Sequence, residues 1–116
     1  PTVVTPLMFE YGLVERARRI ETVMKDRLNR LQAGDPRIGD VRGRGAMIAI
    51  ELEKPGGVEP DPELTRALCA GCHAAGVIVL SCGTFGNVLR FLPPLTISDE
   101  LLHEALDVLS DVLANL

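Results

Sequence analysis

The stretch Val77-Ile78-Val79-Leu80-Ser81-Cys82-Gly83-Thr84-Phe85-Gly86-Asn87-Val88-Leu89-Arg90-Phe91-Leu92-Pro93-Pro94 decides the fold. Val77 to Ser81 reads as a short buried strand. Gly83 to Gly86 is a connection short enough for a hairpin. Asn87 to Leu92 is the returning strand, and Pro93-Pro94 ends it because proline has no N–H for a ladder. Alternation along that strand sends Leu89 and Phe91 to one face and Val88, Arg90 and Leu92 to the other. Leu89 and Phe91 can pack under helices, while Arg90 points off the far face.

Beyond the proline pair, Ser98 is placed to cap a last helix, and Ile97 can staple onto Leu102. Leu102, Ala105, Leu106, Leu109, Leu113 and Leu116 form its apolar stripe. Before the hairpin, Asp61 caps a helix with Pro62 in its first turn; it runs to Ala75 and stops at Gly76. Further back, Ile48, Ile50 and Leu52 alternate with Met47, Ala49 and Glu51, so Ala46 to Leu52 is a strand, entered through Arg42-Gly43-Arg44-Gly45 and closed by the loop Lys54-Pro55-Gly56-Gly57. The first helix starts near Gly12, with Leu13, Ala17, Ile20, Met24, Leu28 and Leu31 on one stripe and Glu15, Arg18, Arg19, Lys25 and Arg30 opposite. Ala33-Gly34-Asp35-Pro36 ends it, with Gly34 expected as a left-handed cap. Pro1 to Tyr11 is extended in character and set apart, so the organisation is an extension over 1–11 and one domain over 12–116. The order helix, strand, helix, strand, strand, helix predicts an α+β fold: a three-stranded, mainly antiparallel sheet with helices on one face and the Asn87–Leu92 strand in the middle.

The chain has 116 residues, 47% hydrophobic, 24% charged and 3% aromatic, with a net charge of −4. A chain of this size buries roughly 65% of its unfolded surface, enough for a core. Acidic charge and scarce aromatics argue against nucleic acid as a partner. No apolar run approaches the roughly 18 residues of a membrane span, so no membrane role is expected. No basic-then-apolar leader shows, and with an odd count of cysteines a reducing cytoplasm is the expected compartment. The aliphatic-rich balance suggests that some apolar surface meets a partner.

Arg90 is the most informative residue for chemistry. A guanidinium on a sheet face can bind a carboxylate through two parallel hydrogen bonds; equally, antiparallel sheets often keep one wet face, where an arginine is merely solvated. Cys69-Ala70-Gly71-Cys72-His73 matches the pattern of covalent haem attachment, with Met8, Met24, Met47 or His103 as conceivable second ligands. The plainer reading is two small buried-type cysteines one helical turn apart. A redox pair needs a helix N-terminus, and this one lies toward the other end. A zinc site from Cys69, Cys72, Cys82 and a histidine lacks a second paired motif. Gly43 and Gly45 precede a strand rather than opening a helix, so they are read as a turn needing positive φ or close packing. Lys25 and Lys54 sit on a polar helix face and in a loop, neither desolvated enough for covalent catalysis.

Three stretches together resemble a known family: Gly12-Leu13-Val14-Glu15-Arg16-Ala17; Val41-Arg42-Gly43-Arg44-Gly45-Ala46-Met47-Ile48-Ala49-Ile50-Glu51-Leu52; and Leu80 through Ile97, with Gly83-Thr84-Phe85-Gly86-Asn87-Val88-Leu89-Arg90-Phe91-Leu92-Pro93-Pro94 at its centre. Their order and spacing resemble the C-terminal domain of class III pyridoxal-phosphate aminotransferases, the small domain of a fold-type I enzyme. The third looks most like the bacterial enzymes acting on 4-aminobutyrate. The resemblance implies that Arg90 binds the substrate carboxylate and that Gly43 and Gly45 are structural. It implies transfer of an amino group from 4-aminobutyrate to 2-oxoglutarate in a parent holding pyridoxal phosphate. The cofactor's lysine and phosphate-binding turn belong upstream, so no cofactor is expected on this chain and no catalytic, cofactor-binding or metal residue is assigned within it. Its implied partners are the large cofactor-binding domain of the same polypeptide and, in the parent, further copies in a homo-oligomer. Apart from the resemblance, a stand-alone, non-catalytic module that binds a ligand or a protein fits the residues too.

Overall fold

The computed structural model describes residues 12–77 and 79–116; expectations about 1–11, Met8 included, and about Ile78 lie outside the described residues. The first helix, α1, runs Leu13–Gly34 and buries Ile20, Val23, Met24 and Leu28, the stripe its spacing predicts. Gly34 does not take the left-handed cap conformation. It is the last helical residue, no positive φ occurs there, and Asp35 after it is extended. Asp35 instead receives the Arg37 guanidinium on both oxygens, Nε at 3.0 Å and Nη2 at 2.8 Å, and this pair turns the chain. Arg37 Nη2 also donates to the Leu113 carbonyl at 3.0 Å, placing a cation at the C-terminal end of the last helix, where the helix dipole favours it.

Four strands, not three, make the sheet. Strand β1 (Ile38–Arg44) precedes β2 (Met47–Leu52), and the order across the sheet is β1-β2-β4-β3 with β3 (Val79–Cys82) and β4 (Val88–Phe91), every neighbour antiparallel. Sequence alternation misses β1 because it is an edge strand in which Ile38 alone is fully buried and Gly39, Asp40, Arg42 and Arg44 are exposed. Its strand character comes from backbone pairing with β2, through a register irregularity between Ile38 and Asp40. As expected, β4 lies between two partners, β2 and β3.

Helices α2 (Pro62–Ala74) and α3 (Asp99–Ala114) have the caps read from sequence: the Asp61 side chain accepts from Leu64 N, and Ser98 from Leu101 N. Past α2, Gly76 takes φ 87 where the chain turns toward β3. Ile48, Ile50 and Leu52 of β2, Leu89 and Phe91 of β4, and Val79 of β3 meet α1, α2 and α3 in one core. Burying such side chains stabilises by roughly 1.5–3 kcal/mol each. Leu116, expected on the α3 stripe, is exposed; it lies beyond the helix end, where the helical period no longer sets its direction.

Candidate functional site

The register places the residues of the open sheet face in rows. Arg42, Ala49, Arg90 and Leu80 are successive cross-strand partners, and Asp40, Glu51, Val88 and Cys82 form the next row. With strands spaced about 4.8 Å apart, Arg42 and Arg90 stand roughly 10 Å apart on the same face. Arg90 is exposed, between the buried Leu89 and Phe91, as alternation predicts. Its own row adds the exposed Leu80, and the exposed Phe85 lies in the β3–β4 connection; Leu92, expected on this face, lies past the end of β4 and lines a cleft on the helix side. Arg90 has no ion-pair partner among the described residues.

Arg42 differs. Its Nη1 lies 2.7 Å from Glu51 Oε1 and 3.1 Å from Asp40 Oδ2. The bond to Glu51, then the one to Asp40, holds the guanidinium pKa above its ordinary value. Of the two arginines, one is committed to carboxylates of the chain itself and the other presents its donors outward. Sequence reasoning singled out Arg90 and missed the Asp40–Arg42–Glu51 cluster. The alternation of β2 was the available signal for Glu51, but Arg42 joins it only once β1 is known to pair.

Rigid surroundings hold this face. The sequence expected Arg42-Gly43-Arg44-Gly45 to be a turn, but the first three residues belong to β1 and the turn is Gly45-Ala46; Gly43, within the strand, has φ 127, and a Cβ there would run into the Met47 carbonyl oxygen. Gly45, at φ 58, donates its N–H to Glu21 Oε1 of α1 at 2.5 Å. That bond, with Lys25 and Arg44 nearby, lowers the Glu21 pKa. Buried Asn87 donates to the Leu52 carbonyl at 3.2 Å, while Leu52 N donates to the Asn87 carbonyl at 2.8 Å, fixing the start of β4 against the end of β2. After β4, Arg16 of α1 donates to the carbonyls of Leu95 and Ile97 and to Asp99, which Arg19 also binds at 3.1 Å. The chain on both sides of Arg90 is therefore fastened.

Of the three motif residues, Cys69 and His73 meet, Sγ to Nε2 at 3.8 Å, while Cys72 turns into the core. Cys72 is fully buried in the core, and burial, with Cys69 a smaller cause, pushes its thiol up to about 11. His73 Nε2 lies 2.7 Å from the Val79 carbonyl and Cys69 Sγ 3.4 Å from it, so these two side chains hold the start of β3. No group of three His, Cys, Asp or Glu among the described residues could hold a metal ion. No described helix is long and apolar enough to cross a membrane. Lys25 pairs with Glu21 at 3.4 Å and Lys54 with Glu59 at 3.6 Å, both in partly exposed settings. A cleft of about 520 Å³ opens on the helix side, lined by Val77, Phe91, Pro93, Ile97, Leu102 and neighbours, and Arg90 is not among its walls.

The family model for class III aminotransferases matches residues 4–113, beginning inside the 1–11 segment that the sequence reading set apart. The chain is 64% identical over 104 residues to the 4-aminobutyrate aminotransferase of Mycobacterium leprae, covering 90% of this chain and 23% of that one. It is 44% identical over 100 residues to the 4-aminobutyrate aminotransferase of Escherichia coli, covering 85% and 24%. Among solved structures, a phospholyase from Arthrobacter in complex with phosphoethanolamine superposes with a TM-score of 0.89 at 30% identity, over 97% of this chain and 27% of that one. The chain thus spans about a quarter of the length of these relatives. A family model that runs over nearly the whole chain, on a fold shared with such enzymes, places this chain in the class III aminotransferase family.

Proposed function

We propose that this chain is the C-terminal domain of a 4-aminobutyrate:2-oxoglutarate aminotransferase and that Arg90 anchors the substrate carboxylate. The observation that carries the reading is Arg90 itself: an exposed guanidinium on a pinned strand, among apolar neighbours, with no carboxylate of the described residues upon it. A carboxylate arriving there gains a bidentate, charge-assisted pair, and a covering domain would lower the local dielectric and strengthen it. The 64% identity to a 4-aminobutyrate aminotransferase supports the substrate assignment.

Class III aminotransferases use pyridoxal phosphate, which supplies the electron sink for amino-group transfer. The residues present here do not fit as its site. Both lysines are paired with glutamates at the surface, whereas a lysine serving as a nucleophile is desolvated or has a lowered pKa. In this reading the cofactor and its lysine belong to a large domain of the same polypeptide, the parent is a cytoplasmic homo-oligomer, and the isolated chain does not transaminate. This chain's part is to bind and orient the acid end of the substrate.

The test is Arg90→Ala in the full-length parent. The expected loss in kcat/KM for 4-aminobutyrate and 2-oxoglutarate is about 2–4 kcal/mol, the order for truncating one partner of a buried charge pair. Arg90→Lys should rescue partly, because an ammonium cannot reproduce the planar fork. Near-normal kcat/KM for both substrates in Arg90→Ala would reduce Arg90 to a surface charge.

A further inference from the structure

Cys69 and His73 stand four residues apart on α2 and so share one face of the helix. That face looks onto the start of β3. Cys69 Sγ and His73 Nε2 are 3.8 Å apart, and they reach the main-chain carbonyl of Val79 at 3.4 Å and 2.7 Å respectively. A thiol, an imidazole and a carbonyl oxygen are thus gathered at one point. Bond lengths to zinc are about 2.3 Å for sulfur and about 2.0–2.2 Å for nitrogen and oxygen. An ion at those lengths would see sulfur and nitrogen about 120° apart, sulfur and oxygen about 100°, and nitrogen and oxygen about 80°, three corners of a distorted tetrahedron. Cys69 is half-buried and His73 exposed, which leaves the fourth corner to water. Cys72 takes no part, because its side chain is fully buried in the core. Cys82 lies three residues further along β3, about 10 Å from Val79.

We propose that Cys69, His73 and the Val79 carbonyl form a binding site for a thiophilic divalent cation of the zinc and cadmium class, which clamps the C-terminal end of α2 to the edge strand β3. A thiolate and an imidazole select such an ion over magnesium and calcium, which take oxygen ligands. Two ligands four residues apart on a helix already form a chelate, because the backbone presents both side chains to one ion. The carbonyl adds a third arm from a different element of the fold. Binding changes the protonation of the site in a defined way. A carbonyl only accepts, so at 2.7 Å from it Nε2 carries the imidazole proton. The ion takes the lone pair of Nε2, that proton passes to Nδ1, and the ring stays neutral. The Cys69 thiol gives its proton to solvent and binds as thiolate. One cation enters and one proton leaves. Leu80, which follows Val79, is the cross-strand partner of Arg90, so the clamp stiffens the strand beside that arginine. The site stands whether or not Arg90 binds a substrate.

Calorimetric titration of zinc into this chain, kept reduced with a phosphine, tests the site. One equivalent should bind, with about one proton released near neutral pH. Cys69→Ser and His73→Gln should each weaken zinc by about tenfold or more, since either leaves a single strong ligand. Cys82→Ser should bind like the parent sequence. Cadmium should give the ultraviolet absorbance of a metal-bound thiolate, and Cys69→Ser should abolish it. Saturating zinc should raise Tm in the parent sequence, because a ligand of the folded state stabilises it, and should leave Tm unmoved in Cys69→Ser and His73→Gln. Unchanged zinc affinity in either of these variants overturns the proposal. So does half an equivalent, which marks an ion shared between two copies, or a loss in Cys82→Ser as large as that in Cys69→Ser. Zinc bound without any rise in Tm overturns the clamp.

Discussion

Gly43→Ala should be among the most damaging single-methyl additions in the described chain, and the structure says why it exceeds a generic glycine replacement. Gly43 has φ 127, and a Cβ there meets the Met47 carbonyl oxygen and comes within 2.9 Å of Ile48 Cα, both backbone atoms of the paired strand. Gly56 offers a matched control: its φ is also positive, 84, but a Cβ there meets nothing within 4 Å. Gly56→Ala carries only the conformational penalty, about 1 kcal/mol. Gly43→Ala carries that penalty and a collision that only a shift of the β1–β2 pairing relieves, for a total of about 2–4 kcal/mol. For a domain of about 100 residues, each 1 kcal/mol moves Tm by roughly 4–8 °C. The expected falls are about 5 °C for Gly56→Ala and about 10–20 °C for Gly43→Ala, read by circular dichroism melts of the two variants beside the parent sequence. Since β1 and β2 carry Arg42 and Glu51, whose ion pair spans the two strands, a Gly43→Ala chain should also show faster modification of Arg42 by phenylglyoxal than the parent sequence. Equal Tm shifts for the two variants would refute the reasoning, because close approach at Gly43 would then cost nothing.

Leu89 is fully buried at the centre of the sheet, so Leu89→Ala should cost about 2–5 kcal/mol in urea unfolding; a loss below 1 kcal/mol would mean that this core collapses freely around a cavity. Cys72, with its thiol pushed up to about 11 and its side chain buried, should alkylate far more slowly with iodoacetamide near pH 8 than Cys69 or Cys82, and comparable rates would contradict its place in the core. The Asp35 pKa is lowered, first by the bond from Arg37, so its contribution to stability is present above the unfolded value and is lost as pH falls through the folded one. Asp35→Asn should accordingly melt lower than the parent sequence at neutral pH, with the gap closing below the ordinary 3.8 of aspartate; a gap independent of pH would assign the loss to something other than the Asp35 charge.

Several elements were legible in the sequence because their causes are local. The stripe from Ile20 to Leu28, the caps at Asp61 and Ser98, and the alternation around Arg90 depend on residues within a few positions of one another. The middle place of β4, expected from the sequence, is the one observed. Gly43 and Gly45 were read as turn glycines needing positive φ or close packing; their φ values of 127 and 58 agree, but only Gly45 is in the turn, Gly43 being part of β1. The family resemblance rested on Gly12 to Ala17, Val41 to Leu52 and Leu80 to Ile97.

What the tertiary structure decided is of a different kind. Strand β1 has too few apolar residues to announce itself; Ile38–Arg44 becomes a strand because β2 offers an unpaired edge of N–H and C=O groups that must be satisfied. Gly34 stays helical since Arg37, two residues past Asp35, supplies the turn by pairing with it, a contact that helix-end composition does not reveal. Which arginine is open to an outside carboxylate could not be read from the chain either. The sequence marked Arg90 by its place between Leu89 and Phe91, but it did not say which carboxylates of the chain would meet Arg42 or spare Arg90. Only the register, which brings Asp40 and Glu51 to Arg42 and leaves Ala49 and Leu80 beside Arg90, separates them. Alternation tells a side chain which face it takes, but the partner it meets there is set by strands that pair across many residues of intervening chain.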